Sequence, residues 1–130
     1  MRRRAALAVI VATALLSSGC STQAVSGPEP KVEEWVVVTY VAERPVREGE
    51  AMKALLETEL AADAALKDAG AGSIDGNEVG QREYDLYFVG RDREVMWQIL
   101  RPILDDAPVS WTRVELRHTL NDKDPTVLRA

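Results

Sequence analysis

Apolar residues along the chain follow two kinds of pattern, and the first kind predicts four β-strands. The run 35–42 is almost entirely β-branched or aromatic, which is typical of a central strand. The runs 73–79 and 83–89 are separated by a turn and predict a hairpin. Strict alternation over 109–118 predicts the last strand, with Thr112 on the same face as its apolar residues.

The second pattern has helical spacing and predicts two helices. The first begins at Glu48 or Gly49 and ends at Ala69, because strong helix formers dominate it and two glycines follow closely. The second follows Asp92, a plausible N-cap, and Pro102 in its last turn predicts a kink or an early end. Its apolar stripe comprises Val95, Met96, Ile99, Leu100, Ile103 and Leu104.

The element order β-α-β-β-α-β predicts an α+β fold. Right-handed crossovers and a single apolar face favour a two-layer ferredoxin-like sandwich, a four-stranded antiparallel sheet with both helices on one face. We expect this domain to span 35–120. A flexible tether rich in Pro and small polar residues precedes it over 20–34, and a loose C-terminal tail follows over 121–130.

Two segments of the predicted hairpin carry a resemblance to known proteins. Asp75–Gly80 and Asp85–Gly90, the latter just before a helix, are similar to segments of small uncharacterised bacterial domains with the ferredoxin-like shape. The resemblance covers only part of the chain. It implies a fold and supplies no activity, cofactor or site.

Residues 1–20 have the layout of an export signal. Arginines at 2–4 are followed by a mostly apolar run over 5–16, and small residues precede Cys20. The apolar run is too short to cross the ~30 Å of hydrocarbon in a bilayer. We therefore predict a signal peptide over 1–19.

The motif Ser17-Ser18-Gly19-Cys20 resembles the lipobox of bacterial lipoprotein precursors, in which Leu usually stands where this chain has Ser17. The resemblance implies that Cys20 becomes the mature N-terminus and carries diacylglycerol with fatty acids such as palmitate. Two or more acyl chains give stable membrane attachment. It also implies a place on the extracytoplasmic side of the cell envelope, at the outer membrane where the cell has one. The alternative is an ordinary cleaved signal with a chance Cys.

Composition and charge limit the class of partner. The chain has one Cys and one His, which excludes an internal disulfide framework, and we expect neither a cofactor nor a metal. The net charge is −5, and loss of the arginines at 2–4 leaves 13 basic and 21 acidic residues, a net charge of −8. Such a body repels phosphate backbones, so we expect no nucleic-acid partner.

One candidate binding surface lies on the face of the sheet that the helices leave bare. Alternation places Trp111, Arg113 and Arg117 together on that face, and the neighbouring strand adds Tyr87. Trp, Tyr and Arg are enriched in protein–protein hot spots. The alternative is ordinary cross-strand pairing, in which acidic neighbours neutralise the arginines.

The first helix offers a second candidate surface and a pair of carboxylates. Met52, Leu56 and Leu60 form a stripe that becomes an exposed apolar patch if the core lies on the other side of the helix. Glu59 and Asp63 lie one turn apart beside it. If buried together, they would share a proton as an acid–base pair, and otherwise they are solvated.

The remaining polar residues carry weaker signals. The stretch 75–78 offers too few oxygen ligands for a calcium loop and favours an ordinary turn. His118 has no nucleophile motif near it in the sequence, which favours a surface position.

Together these patterns predict a non-catalytic domain, attached to a membrane through the lipid on Cys20, that binds a protein partner. An immunity-type lipoprotein that neutralises a cationic toxin is one alternative, because opposite charges steer association. A small hydrolase that uses Glu59 and Asp63 is the other.

Overall fold

A computed structural model describes residues 32–44 and 49–130, and within them the chain has an α+β fold. The predicted signal peptide, Cys20 and most of the predicted tether lie outside the described residues. The elements are β1 (Glu34–Val41), α1 (Glu50–Asp68), β2 (Gly72–Val79), β3 (Glu83–Gly90), α2 (Arg93–Asp105), β4 (Arg113–Arg117) and β5 (Thr126–Arg129).

The five strands form one antiparallel sheet in the order β2-β3-β1-β4-β5. β1 lies at the centre, where Val38 pairs with Leu86 of β3 on one side and with Val114 of β4 on the other. Its almost continuous apolar sequence fits this central position, since a central strand exposes neither edge to solvent. The prediction of an antiparallel sheet with two helices is confirmed.

The hydrophobic core lies on one face of the sheet. Val36, Val38 and Tyr40 are buried there, together with alternate residues of the two neighbouring strands. Both helices pack against this same face, because their buried residues belong to the same cluster. These helical residues are Leu55, Ala62 and Leu66 of α1, and Met96, Trp97, Leu100 and Leu104 of α2.

Glycines mark both ends of α1. Gly49 precedes its first residue with a φ of 81°, and Gly70 follows its C-cap with a φ of 63°, a left-handed conformation that favours glycine. The amide of Gly70 donates to the carbonyl of Lys67, and the amide of Ala71 donates to that of Leu66. These two bonds form a Schellman motif, so the predicted stop at these glycines is confirmed.

The predicted N-cap of α2 is confirmed. Of the two outcomes predicted for Pro102, a kink or an early end, the early end does not occur. The side chain of Asp92 accepts hydrogen bonds from the amides of Glu94 and Val95. The helix continues past Pro102 to Asp105. Proline lacks an N–H, so it removes one hydrogen bond here, but only one turn of helix follows it.

The predicted count of four strands is wrong, because part of the predicted tail forms β5. Val114 pairs with Leu128 and Glu115 pairs with Val127, so β5 extends the sheet beyond β4. Leu128 is half-buried and packs against the core. This contact explains why a strand of only four residues joins the sheet.

The last predicted strand is also shorter than expected. β4 begins at Arg113, four residues after the start that alternation predicts. The segment before it still touches the sheet, since the amide of Thr112 donates to the carbonyl of Thr39.

Neither of the described helices combines the length and the apolar character that a membrane crossing requires.

Candidate functional site

Leu56 and Leu60 of the predicted stripe lie on the outer surface of α1, whereas the predicted exposure of Met52 is wrong. Leu60 is 70% exposed and Leu56 is 45% exposed, one turn apart. Met52 is half-buried and packs against the core. We call Leu56 and Leu60 the apolar patch. Isolated surface leucines are common, but two exposed leucines one turn apart on a helix form a small apolar surface that a partner can cover.

Glu59 and Asp63 lie on the flank of α1 that faces the hairpin of β2 and β3. The hydroxyl of Tyr84 donates to Oε2 of Glu59 at 2.9 Å, and Nδ2 of Asn77 lies 3.1 Å from both of its carboxylate oxygens. Asp63 accepts from the amide of Ile74 at 2.9 Å and from Nζ of Lys67 at 2.8 Å. Each carboxylate therefore has its own set of donors.

Two groups in these contacts have a shifted pKa. Hydrogen bonds from Lys67 and from the amide of Ile74 lower the pKa of Asp63. Burial, reinforced by the contact with Glu59, raises the pKa of Tyr84. The polar contacts of Glu59 and Asp63 connect α1 to the hairpin of β2 and β3.

On the sheet face opposite the helices, side chains of the central strand β1 are buried. Trp35 and Val37 lie on this face and are only 8% and 2% exposed. Val37 stands between Tyr87 and Glu115 in the register of the sheet. The hydroxyl of Tyr87 donates to Glu78 across β2 and β3, and burial raises the pKa of Tyr87. Within the described residues, Trp35 and Val37 are therefore buried on this face and Tyr87 is half-buried.

Both arginines of β4 on this face pair with neighbouring acceptors. Arg117 donates to Glu115 at 2.6 Å and to the carbonyl of Leu120 at 2.8 Å. Arg113 donates to Oγ1 of Thr39 at 3.4 Å and lies 3.9 Å from Glu83. The Nε atoms of both arginines are buried, and within the described residues they have no hydrogen-bond partner. The pair of Arg117 with Glu115 lies within β4, whereas the contacts of Arg113 with Thr39 and Glu83 run across strands, as the alternative of cross-strand pairing predicts.

The predicted position of Trp111 beside Arg113 is wrong. Trp111 precedes β4, outside the alternating segment, and it packs on the helix side of the sheet. Its ring meets that of Trp97 edge to face, with centroids 5.5 Å apart, and its Nε1 donates to Oδ1 of Asp105 at 2.8 Å. Its role in the structure is to connect the start of β4 to α2.

The weaker candidates have structural partners. Nδ1 of His118 lies 2.7 Å from Oε2 of Glu34, at the exposed end of the β1–β4 ladder. The predicted turn over 75–78 is wrong, because this stretch belongs to β2, where the register shifts between Ile74 and Gly76. Across residues 32–44 and 49–130, no group of three or more His, Cys, Asp or Glu is arranged to hold a metal ion.

A groove between α1 and the end of α2 is a candidate site that the sequence does not predict. It has a volume of 430 Å³, and Pro108 and Glu57 connect it to a neighbouring hollow of 370 Å³. Small residues of helical spacing, Ala54 and Ala61, could have indicated a close approach on this side of α1. The rest of the groove comes from residues 102–108, which are distant in sequence. We call this feature the α1–α2 groove.

Comparison of the chain with protein-family models, with curated proteins and with solved structures found no match.

Proposed function

We propose that the chain is a lipid-anchored, extracytoplasmic domain without catalytic activity that binds a protein partner at a membrane surface. The anchor is supported by the arginines at 2–4, the short apolar run over 5–16 and the position of Cys20 directly after small residues. After cleavage, residues 21–33 connect the lipid to β1 and act as a tether.

The apolar patch on α1 is the surface we assign to the partner, and its exposure is the observation that carries the proposal. Leu60 is the most exposed large apolar side chain of the two helices, and Leu56 continues the patch toward the N-terminus of α1. Burying one leucine side chain is worth about 1.5–3 kcal/mol. Such a patch suits a partner that covers one side of a helix.

We further propose that the fold is the ferredoxin-like two-layer sandwich with one strand added. Strands β1 to β4 stand in the order β2-β3-β1-β4, which suits two crossovers of the same hand. The helices share one core face of the sheet. β5 extends the edge at β4 and leaves the arrangement of the other four strands unchanged.

Site-specific photo-crosslinking tests the binding surface. A photoreactive residue replaces Leu60 in the full chain, which is expressed in its native host with the leader intact. The matched control places the same residue at Gln98, an exposed position on α2. We expect one discrete protein adduct at position 60, none at position 98, and loss of the adduct when Leu56→Ser is added. No adduct from position 60, or equal adducts from both positions, would contradict the proposal.

A cationic protein toxin is the second candidate partner, because the mature chain combines 13 basic with 21 acidic residues. Opposite charge steers association and makes its rate sensitive to salt. For this candidate, the association rate constant should fall at least tenfold between about 20 mM and 500 mM salt, since the Debye length shrinks over that range. A rate constant that does not change with salt would argue against it.

A further inference from the structure

The α1–α2 groove has an apolar floor built from small and rigid side chains. Ala54 and Ala61 line it on α1, and Pro102, Ile103 and Pro108 line it on the opposite side. The one hydroxyl on the floor, that of Thr58, donates to the carbonyl of Ala54 at 2.8 Å. The floor therefore offers an apolar surface with its polar group already satisfied.

The groove is long enough for a helical segment. Its two hollows share Ala54, Glu57 and Pro108, and together they are lined by α1 residues from Glu50 to Ala61. At 1.5 Å per residue, this part of α1 is about 17 Å long, roughly three turns. Amphipathic helices bind to apolar grooves of this kind with side chains spaced three or four residues apart.

Carboxylates line the rim of the groove. Glu50, Glu57 and Asp106 contribute to the lining, against a single cation, Lys53. The described residues provide no ion pair for Glu57 or Asp106. By contrast, Asp63 and Asp105, which lie outside the groove, pair with Lys67 and Arg101 of their own helices. The rim carboxylates can therefore pair with a cation from a partner.

The end of α2 adds to the negative potential. Asp106 is its C-cap, and its last turn contains no basic residue. A helix carries about half a negative charge at its C-terminus, where cations are stabilised. This contribution comes from the backbone, so it is independent of the rim carboxylates.

We propose that the α1–α2 groove binds a basic amphipathic helix of the partner protein, with its apolar side on Ala54, Ala61 and Ile103 and with Lys or Arg side chains on Glu57 and Asp106. The inference rests on the proposed protein-binding function and specifies the chemistry of the partner. A second copy of this acidic chain is disfavoured as the occupant, because like charges repel across an interface.

A synthetic amphipathic helix of Leu and Lys serves as the probe, and a Leu–Glu peptide of the same pattern serves as its control. Binding to the mature chain is measured by titration calorimetry. We expect the Leu–Lys peptide to bind and the Leu–Glu peptide not to bind. Failure of the Leu–Lys peptide to bind would overturn the inference.

Two matched pairs of variants locate the binding. Glu57→Gln with Asp106→Asn should weaken it about tenfold, whereas Asp68→Asn with Glu94→Gln, the same change in net charge on exposed sites outside the groove, should change it less than twofold. Equal losses in both double variants would indicate non-specific attraction and overturn the inference.

The steric pair is Ala61→Gln inside the groove and Ala64→Gln outside it, both on exposed positions of α1. Only the first should block the peptide, while both should keep the thermal midpoint of the parent chain. A dimer detected by sedimentation that Ala61→Gln disrupts would instead identify a second copy as the occupant. Binding that is lost in Leu60→Gln and retained in Ala61→Gln would overturn the groove inference and leave the proposed function standing, because that function is tested separately by crosslinking from position 60.

Discussion

Trp111 meets Trp97 edge to face, with ring centroids 5.5 Å apart and ring planes at 89°. Together with the hydrogen bond from Nε1 of Trp111 to Asp105, this contact fixes the segment before β4 against α2. Aromatic pairs in this geometry contribute about 0.5–1.5 kcal/mol beyond the area they bury.

Replacement of Trp111 should destabilise the fold. Because its ring is half-buried, we expect Trp111→Ala to lower the free energy of unfolding by about 2–3 kcal/mol. Trp111→Phe keeps a ring against Trp97 but loses the hydrogen bond to Asp105, and should cost about 1 kcal/mol. Urea unfolding monitored by far-ultraviolet circular dichroism measures both values. Equal stability of the parent and Trp111→Ala would show that the contact is unimportant.

Alkaline pH should destabilise the core through two tyrosines. Tyr40 and Tyr84 pair across β1 and β3, and burial raises the pKa of both hydroxyls. Their contribution is fully present below the ordinary tyrosine pKa of about 10 and is lost as pH rises above it, by up to about 1.4 kcal/mol per pH unit for each tyrosine.

Tyr40→Phe isolates one of these contributions. The hydroxyl of Tyr40 is buried, and within the described residues it has no hydrogen-bond partner. The variant should therefore be at least as stable as the parent at neutral pH, with a shallower loss of stability above about pH 10. Urea unfolding at a series of pH values checks this. A loss of more than about 1 kcal/mol at neutral pH would reveal a partner for this hydroxyl.

Acid should weaken the contact between α1 and β2 through Asp63. Its donors, Lys67 and the amide of Ile74, lower its pKa in the folded state. Its contribution is therefore present above the ordinary Asp pKa of about 4 and is lost as pH falls through the lowered value. Asp63→Asn keeps an acceptor for Ile74 without a titrating charge, so its urea midpoint should depend less on pH in this range. The control is Asp68→Asn, which removes an exposed carboxylate. If the urea midpoints of the two variants depend on pH in the same way, the assignment of this acid effect to Asp63 is wrong.

The fifth strand should contribute measurable stability through Leu128. We expect Leu128→Ala to lower the free energy of unfolding by about 1–2 kcal/mol, because this side chain is half-buried against the core. Val127→Ala is the matched control, since Val127 lies on the other face and is 42% exposed. It should change stability by less than about 0.5 kcal/mol. No loss of stability in Leu128→Ala would contradict the proposed contribution of its side chain.

The sequence predicts the elements whose pattern is long and local. The apolar run of β1 and the stripe of α2 each extend over two or more repeats of their period, and the glycines after α1 determine where that helix ends. β5 escapes prediction because four residues are too few for a pattern, and its stability comes from Leu128 packing against a core built elsewhere. The position of Trp111 is predicted wrongly for a related reason. The alternating pattern starts at residue 109, whereas β4 begins only at Arg113.

The candidate site divides in the same way. The exposure of Leu56 and Leu60 follows from helical spacing once the core stripe of α1 is known. The α1–α2 groove does not follow from helical spacing, because α1 supplies one wall and residues 102–108, distant in sequence, supply the other. The pairing of Glu59 with Tyr84 is equally remote in sequence, and it gives Glu59 a donor separate from those of Asp63.

The fate of Cys20 tests the proposed membrane-anchored binding domain most directly. Mass spectrometry of the protein extracted from host membranes should find an N-terminal peptide that begins at Cys20 and carries a diacylglyceryl thioether. Cys20→Ser should abolish this modification and leave the fold of residues 32–130 unchanged. A chain that retains residues 1–19 and a free thiol at Cys20 would contradict the proposed anchor, the proposed location and the membrane setting of the partner.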